Sequence, residues 1–181
     1  MAVYVALIRA IGPVTHAKMK MAALRDACAA AGLDDVSTVG NTGNIIFRSG
    51  HTLAEVRKIV QGAVDGFGLG PANEVFVLTP KAMAAVVKAN PFPEVATERP
   101  SELGVSSFHK APDWAPVIGW AGPELVATVG AHLIVAYPKG ITGSKLQIEK
   151  ALGARMTQRN WTVFAGLAAK AAALAKAADS I

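Results

Sequence analysis

The apolar positions change period several times along the chain, and each change marks an element. Residues 3–9, "VYVALIR", form a short apolar run that predicts a buried strand. Met21, Leu24, Cys28 and Ala31, spaced three, four and three, make one helix face that Gly32 ends. "DVSTV" and "NIIF" flank "GNTG", which predicts two strands joined by a turn. Thr52 and Glu55 form a capping box ahead of a helical face at Leu53, Val56, Val60, Ala63 and Phe67. "EVFVL" at 74–78 is the next strand. The order is β-α-β-β-α-β, that of a ferredoxin-like unit.

Thr79-Pro80 then opens a helix as cap and first residue, and "NPF" at 90–92 stops it. The proline- and acid-rich stretch 93–103 reads as a connecting loop. The second half repeats the first more loosely. Strands are expected near 104–109, 124–129 and 132–137, with an irregular stretch holding Trp114 and Trp120. Ser144 to Gln147 reads as a second capping box, opening a helix that Gly153 ends. Asn160 caps the last helix, whose inner face is Trp161, Phe164, Ala168, Ala171 and Ala175.

The expected fold is α+β, two tandem ferredoxin-like (α/β-plait) units packed as one body. Residues 1–79 make the first unit, 80–103 a connecting helix and loop, and 104–181 a second α+β unit with the C-terminal helix. The strands "VYVALI" and "AHLIVAY" are apolar at alternate and intervening positions alike, so both sheet faces need cover, and the partner unit is the expected cover.

Composition narrows the functional classes. Apolar residues are 52% and charged residues 17%, which excludes general disorder. No segment reaches the ~20 apolar residues of a membrane span. The start "MAVYVALIRA" lacks a basic n-region, and one cysteine permits neither an internal disulfide nor a cysteine cluster. The expected location is the cytoplasm. The net charge of +5 is uneven. Residues 1–137 balance, whereas 138–181 hold seven basic residues (139, 145, 150, 155, 159, 170 and 176) against two acidic ones (149 and 179). The entire excess lies there. It suits an anionic partner, and equally plain solubility.

Three stretches carry candidate chemistry. "YPKGITGSKLQ" at 137–147 places Ser144 and Lys145 where a glycine-containing loop meets the expected helix start, a geometry that favours anions. It is not a Walker A loop, since the order is Gly143-Ser144-Lys145. "TQRNW" at 157–161 adds Arg159, which can fork onto a carboxylate or phosphate, and Asn160, a helix cap. "GNTGN" at 40–44 contributes Asn44, and Arg9 ends the first strand towards the same rim. A tight hairpin accounts for the asparagine and glycines as well as a site does. The four histidines show no metal-ligand spacing, and no nucleophile or carboxylate pair stands out. No metal, cofactor or catalytic residue is assigned.

The ordered motifs "YVALIRAI", "KMAALRDACAAAGLDDVSTVGNTGNIIF", "NPF", "YPKGITGSKL" and "TQRNW" make the chain resemble the bacterial domain of unknown function 1697 family over nearly its full length. The resemblance implies tandem α+β units and no assigned activity. Arg9, Gly43, Asn44, Gly140, Ser144, Lys145, Thr157, Arg159 and Asn160 match its recurring pattern. Departures occur where relatives continue the first strand as Arg-Gly-Ile-Asn and this chain has Arg9-Ala10-Ile11-Gly12, at Thr42 in place of Ser, and at Thr142-Gly143 in place of a glycine and a basic residue.

The favoured reading is a protein binding a small phosphate- or carboxylate-bearing ligand at the Ser144 helix start, through Arg9, Asn44, Ser144, Lys145, Arg159 and Asn160. Nucleic-acid binding is the alternative suggested by the strand order. It lacks the aromatic motif of RNA-recognition domains, because the third strand reads "NIIFRS" and Tyr4 alone resembles a stacking residue. A non-catalytic protein-interaction role is the third. The oligomeric state is left open, and no reaction is named.

Overall fold

The structure, a computed structural model, describes residues 1–178. It divides into two compact units. Among the described residues, one holds Met1–Lys81 together with 167–178, the other Ala82–Gly166. The sequence boundaries differ from this division, since they assigned the whole last helix to the second unit. Asp179, one of the two acids counted in the last quarter, lies outside the described residues.

The first unit contains β1 (Ala2–Ile8), α1 (Pro13–Lys18), α2 (Met21–Ala30), β2 (Asp34–Thr38), β3 (Asn44–Ser49), α3 (Leu53–Asp65) and β4 (Val75–Leu78). Its sheet is antiparallel, in the order β2-β3-β1-β4. Strand side chains alternate between faces. Tyr4, Ala6, Ile8, Ile45, Phe47, Val75 and Val77 therefore share one face, where α2 adds Leu24 and Cys28 and α3 adds Val56, Val60 and Val64. Val5, Leu7, Ile46 and Phe76 on the other face are buried too. That double burial explains why the strands read as continuous apolar runs.

The capping box forms as the sequence indicates. Glu55 N–H donates to Thr52 Oγ1, and Thr52 N–H donates to Glu55 Oε2 at 2.7 Å. Arg48 is the charged residue on β3. Its Nη1 lies 3.2 Å from the Asp35 carboxylate and its Nη2 donates to the Leu174 carbonyl at 2.9 Å.

Next come α4 (Pro80–Ala89), α5 (Pro93–Glu98), a 3-10 turn (Pro100–Glu102), β5 (Leu103–Ser107), α6 (Ala115–Ile118), β6 (Leu125–Val129), β7 (His132–Ala136), α7 (Ile148–Leu152), β8 (Thr157–Asn160) and α8 (Trp161–Ala178). The second sheet is antiparallel in the order β6-β7-β5-β8, so both sheets place their strands second-third-first-fourth. Leu133, Val135 and Tyr137 pack with Phe108, Val117, Leu146 and Ile148 on one face. Leu103, Val105 and Ile134 are buried on the opposite face.

Three segments depart from the sequence expectations. Residues 93–103 hold α5 and the 3-10 turn in place of a plain loop, because each starts at a proline whose fixed φ suits a first helical position. "TQRN" is the edge strand β8, paired only with β5, and no apolar alternation marks it because all four side chains are polar. Ser144 does not open a helix. Its hydroxyl accepts from the Leu146 N–H at 3.1 Å, a local turn, and α7 begins only at Ile148. The expected anion site at a helix N-terminus on Ser144 is therefore absent, and α7 is a helix of five residues that ends at left-handed Gly153.

Candidate functional site

Two loops of the second unit face each other. The first follows β7 and runs through Lys139 to Leu146. It turns at Gly140, whose φ is +74°. It closes tightly at Gly143, where a β-carbon would stand 2.7 Å from the Lys139 carbonyl oxygen. The second loop, residues 119–124, joins α6 to β6.

Glu124 ties them together. Its Oε1 accepts from Ser144 Oγ at 2.5 Å and its Oε2 accepts from the Trp120 indole N–H at 2.6 Å. Gly122 makes room for this contact, since a β-carbon there would lie 2.6 Å from Glu124 Oε2 and collide with the Trp120 ring nitrogen. Glu124 as a residue is 7% exposed. The Ser144 hydroxyl first, then the Trp120 indole, hold its pKa below the usual carboxylate range, with a smaller pull from the charge on Lys139. Glu124 is thus a fixed negative charge.

Between the loops lies a cleft of about 460 Å³. Pro116, Trp120 and Pro123 give it apolar walls, and Glu124, Lys139 and Lys145 give it charge. Among the described residues neither lysine forms a salt bridge. Two ammonium groups against one carboxylate leave the cleft with one uncompensated positive charge, a setting that attracts an anion.

The sequence candidates fall in different places. Ser144 and Lys145 reach the cleft, the first by fixing Glu124 and the second as a lining residue. Arg159 does not. On β8 it stands beside Val105, on the face opposite Gln158, whereas Gln158 meets the Tyr137 hydroxyl on the side of the sheet where Leu146 packs. Arg159 Nη1 donates to Thr157 Oγ1 at 2.8 Å and to the Gln158 carbonyl at 2.9 Å. Burial brings its pKa down to about 10, which still leaves it charged near neutrality. Asn160 Oδ1 accepts from the Val163 N–H at 2.9 Å, capping α8, and Trp161 is buried directly after it.

Arg9 and Asn44 belong to the first unit, at one end of its sheet, where Leu7 pairs with Asn44. Arg9 Nη1 donates to the Ala72 carbonyl at 3.3 Å. Asn44, 1% exposed, donates to the Val39 carbonyl and Thr42 Oγ1 and so closes its own loop. Gly43 beside it is held at φ +75° with Ile8 and Ile11 against it.

Glu124, Trp120 and Gly122 were missed by sequence reasoning. The signal was "GWAGPE", a tryptophan and an acid two residues either side of a glycine, but an irregular stretch gives no period that would aim them at one another. Lys139 lies in the same glycine-containing loop as Lys145, and nothing in its spacing marks it.

Residues 1–119 match the family described as Protein of unknown function (DUF1697). The chain belongs to the DUF1697 family. The matched span covers the Met1–Lys81 part of the first unit and ends at Gly119, the first residue of the 119–124 loop, so most of the cleft's lining lies beyond it. Comparison with curated proteins finds no match. Among solved structures, the conserved bacterial protein SP0830 from Streptococcus pneumoniae superimposes with a TM-score of 0.73 at 18% identity, over 94% of this chain and 98% of that one. This similarity concerns the α+β fold of this DUF1697 member. Among the described residues no helix is long and apolar enough to cross a membrane, and no group of three or more His, Cys, Asp or Glu could hold a metal ion.

Proposed function

We propose that this protein binds a small phosphate- or carboxylate-bearing ligand in the cleft between residues 119–124 and 139–145, with Lys139 and Lys145 as its counter-charges. One observation carries the reading. Glu124, the acid in the cleft, already has both oxygens engaged by Ser144 and Trp120, while the two lysines around it form no salt bridge among the described residues. The volume lies within the ~300–1,000 Å³ usual for small-molecule sites. The shared strand order supports reading both units as ferredoxin-like. A cytoplasmic setting fits the single, buried Cys28.

Arg9, Asn44, Arg159 and Asn160 have structural partners of their own and are not assigned to the cleft. An RNA-type sheet platform is disfavoured because Tyr4 is buried, with its hydroxyl bonded to the His51 carbonyl. No reaction is proposed. The test is calorimetric titration with inorganic phosphate and with acetate at low salt. Saturable binding that disappears in Lys139→Ala/Lys145→Ala supports the reading; binding that survives the double replacement, or no binding by the parent protein, contradicts it.

A further inference from the structure

We infer that the ligand class of this cleft is a monocarboxylate carried on an apolar body, such as an aryl- or alkyl-alkanoate. This rests on the anion reading above and narrows it. The charge sets the valence. With Glu124 fixed between Ser144 and Trp120, the two lysines leave room for one negative charge, and a phosphate dianion would bring an unmatched second one towards Glu124.

The walls set the rest. Pro116, Trp120 and Pro123 are apolar, and the Trp120 ring is held in one orientation by its bond to Glu124, so it forms a preorganised flat surface. Each segment beside the cleft also exposes an isoleucine. Ile118 precedes the 119–124 loop and is 67% exposed; Ile141 lies between Lys139 and Gly143 and is 45% exposed. These are two of the few large hydrophobic side chains exposed among the described residues, and in the chain Ile118 adjoins the lining residue Gly119 while Ile141 stands between the lining residues Lys139 and Gly143. A sugar phosphate or nucleotide would leave those surfaces wet, whereas an apolar body would cover them.

Calorimetric titration of the full chain with 3-phenylpropanoate, 3-phenylpropanamide, acetate and glycerol 3-phosphate tests this. Phenylpropanoate is expected to bind at least about tenfold more tightly than the other three. Ile118→Asn/Ile141→Asn should reduce it to the level of acetate and leave acetate unchanged, while Lys139→Ala/Lys145→Ala removes both. Both isoleucines are exposed, so their replacement leaves the fold intact, with thermal melts as the control. Glycerol 3-phosphate binding as well as phenylpropanoate, with no effect of the isoleucines, overturns the amphiphile class and leaves the anion site standing. The amide binding as well as the acid, or no probe binding, overturns both.

Discussion

Gly122→Ala puts the Trp120–Glu124–Ser144 arrangement to a quantitative test. The added β-carbon would sit 2.6 Å from Glu124 Oε2 and overlap the Trp120 ring nitrogen, so one of the two must move and their hydrogen bond breaks. A hydrogen bond to a charged acceptor contributes about 1.5–3 kcal/mol. The carboxylate is closely covered but shallow, which favours the lower half of that range. Alanine also reduces the freedom of the unfolded chain, worth ~0.4–1 kcal/mol in the opposite direction, since Gly122 does not need a positive φ. The net loss is about 0.5–2 kcal/mol, which lowers Tm by roughly 1–8 °C for a chain of this size. Gly119→Ala in the same loop is the control, because its β-carbon meets nothing within 4 Å. Melts followed by circular dichroism, together with Trp emission, provide the readout. In Glu124→Gln the Gly122→Ala cost should shrink, because the charged acceptor is already gone. If Gly122→Ala and Gly119→Ala melt within about 1 °C of each other with unaltered emission, the Glu124 bridge does not organise the cleft.

Three further outcomes follow from buried groups. His132 is buried against Phe164, with Nδ1 on the Val129 carbonyl and Nε2 without a hydrogen-bond partner among the described residues, and desolvation holds its pKa below the ordinary value. A base with a depressed folded pKa contributes stability that is present above its unfolded pKa, about 6.5, and lost as pH falls through the folded value. Tm should therefore drop between pH 7 and 5, and His132→Leu should flatten that slope; an unchanged slope refutes the assignment. Burial pushes the Cys28 thiol up to about 11, so it should ignore an aromatic disulfide reagent in the folded protein and react at once in denaturant. Arg159→Ala should lower Tm by roughly 2–8 °C, through the lost bonds to Thr157 and the Gln158 carbonyl, while leaving anion affinity unchanged in calorimetry.

The first unit was legible because its elements obey local rules. The period-three-and-four face of Met21, Leu24 and Cys28, the Thr52–Glu55 box and the two apolar strands each point to one structure, and all are there. β8 was not legible, because an edge strand of Thr, Gln, Arg and Asn has no apolar period and is specified by pairing with β5, a partner some fifty residues away in the chain. The Ser144 helix start failed for a related reason. A serine followed by Gln147 fits a capping box, but Glu124, twenty residues upstream, takes the Ser144 hydroxyl. Of the candidate site, the glycine loop and the charge on Lys145 were readable, though Lys145 was expected at a helix start and stands in a turn, whereas Trp120 and Glu124 needed the fold to bring their loop opposite. Arg159 looked available in sequence because its acceptors, Thr157 and its own neighbour's carbonyl, are invisible to motif reading.

The most direct measurement is a two-dimensional amide NMR titration of the isotope-labelled protein with 3-phenylpropanoate at low salt. A ligand in the proposed cleft should move the backbone signals of Gly122, Gly140, Gly143 and Lys145 and the Trp120 indole N–H, with one shared saturation curve, and leave Arg9, Asn44 and Arg159 in place. Shifts centred on any of those three residues, or none at saturating ligand, would contradict an anion cleft between residues 119–124 and 139–145.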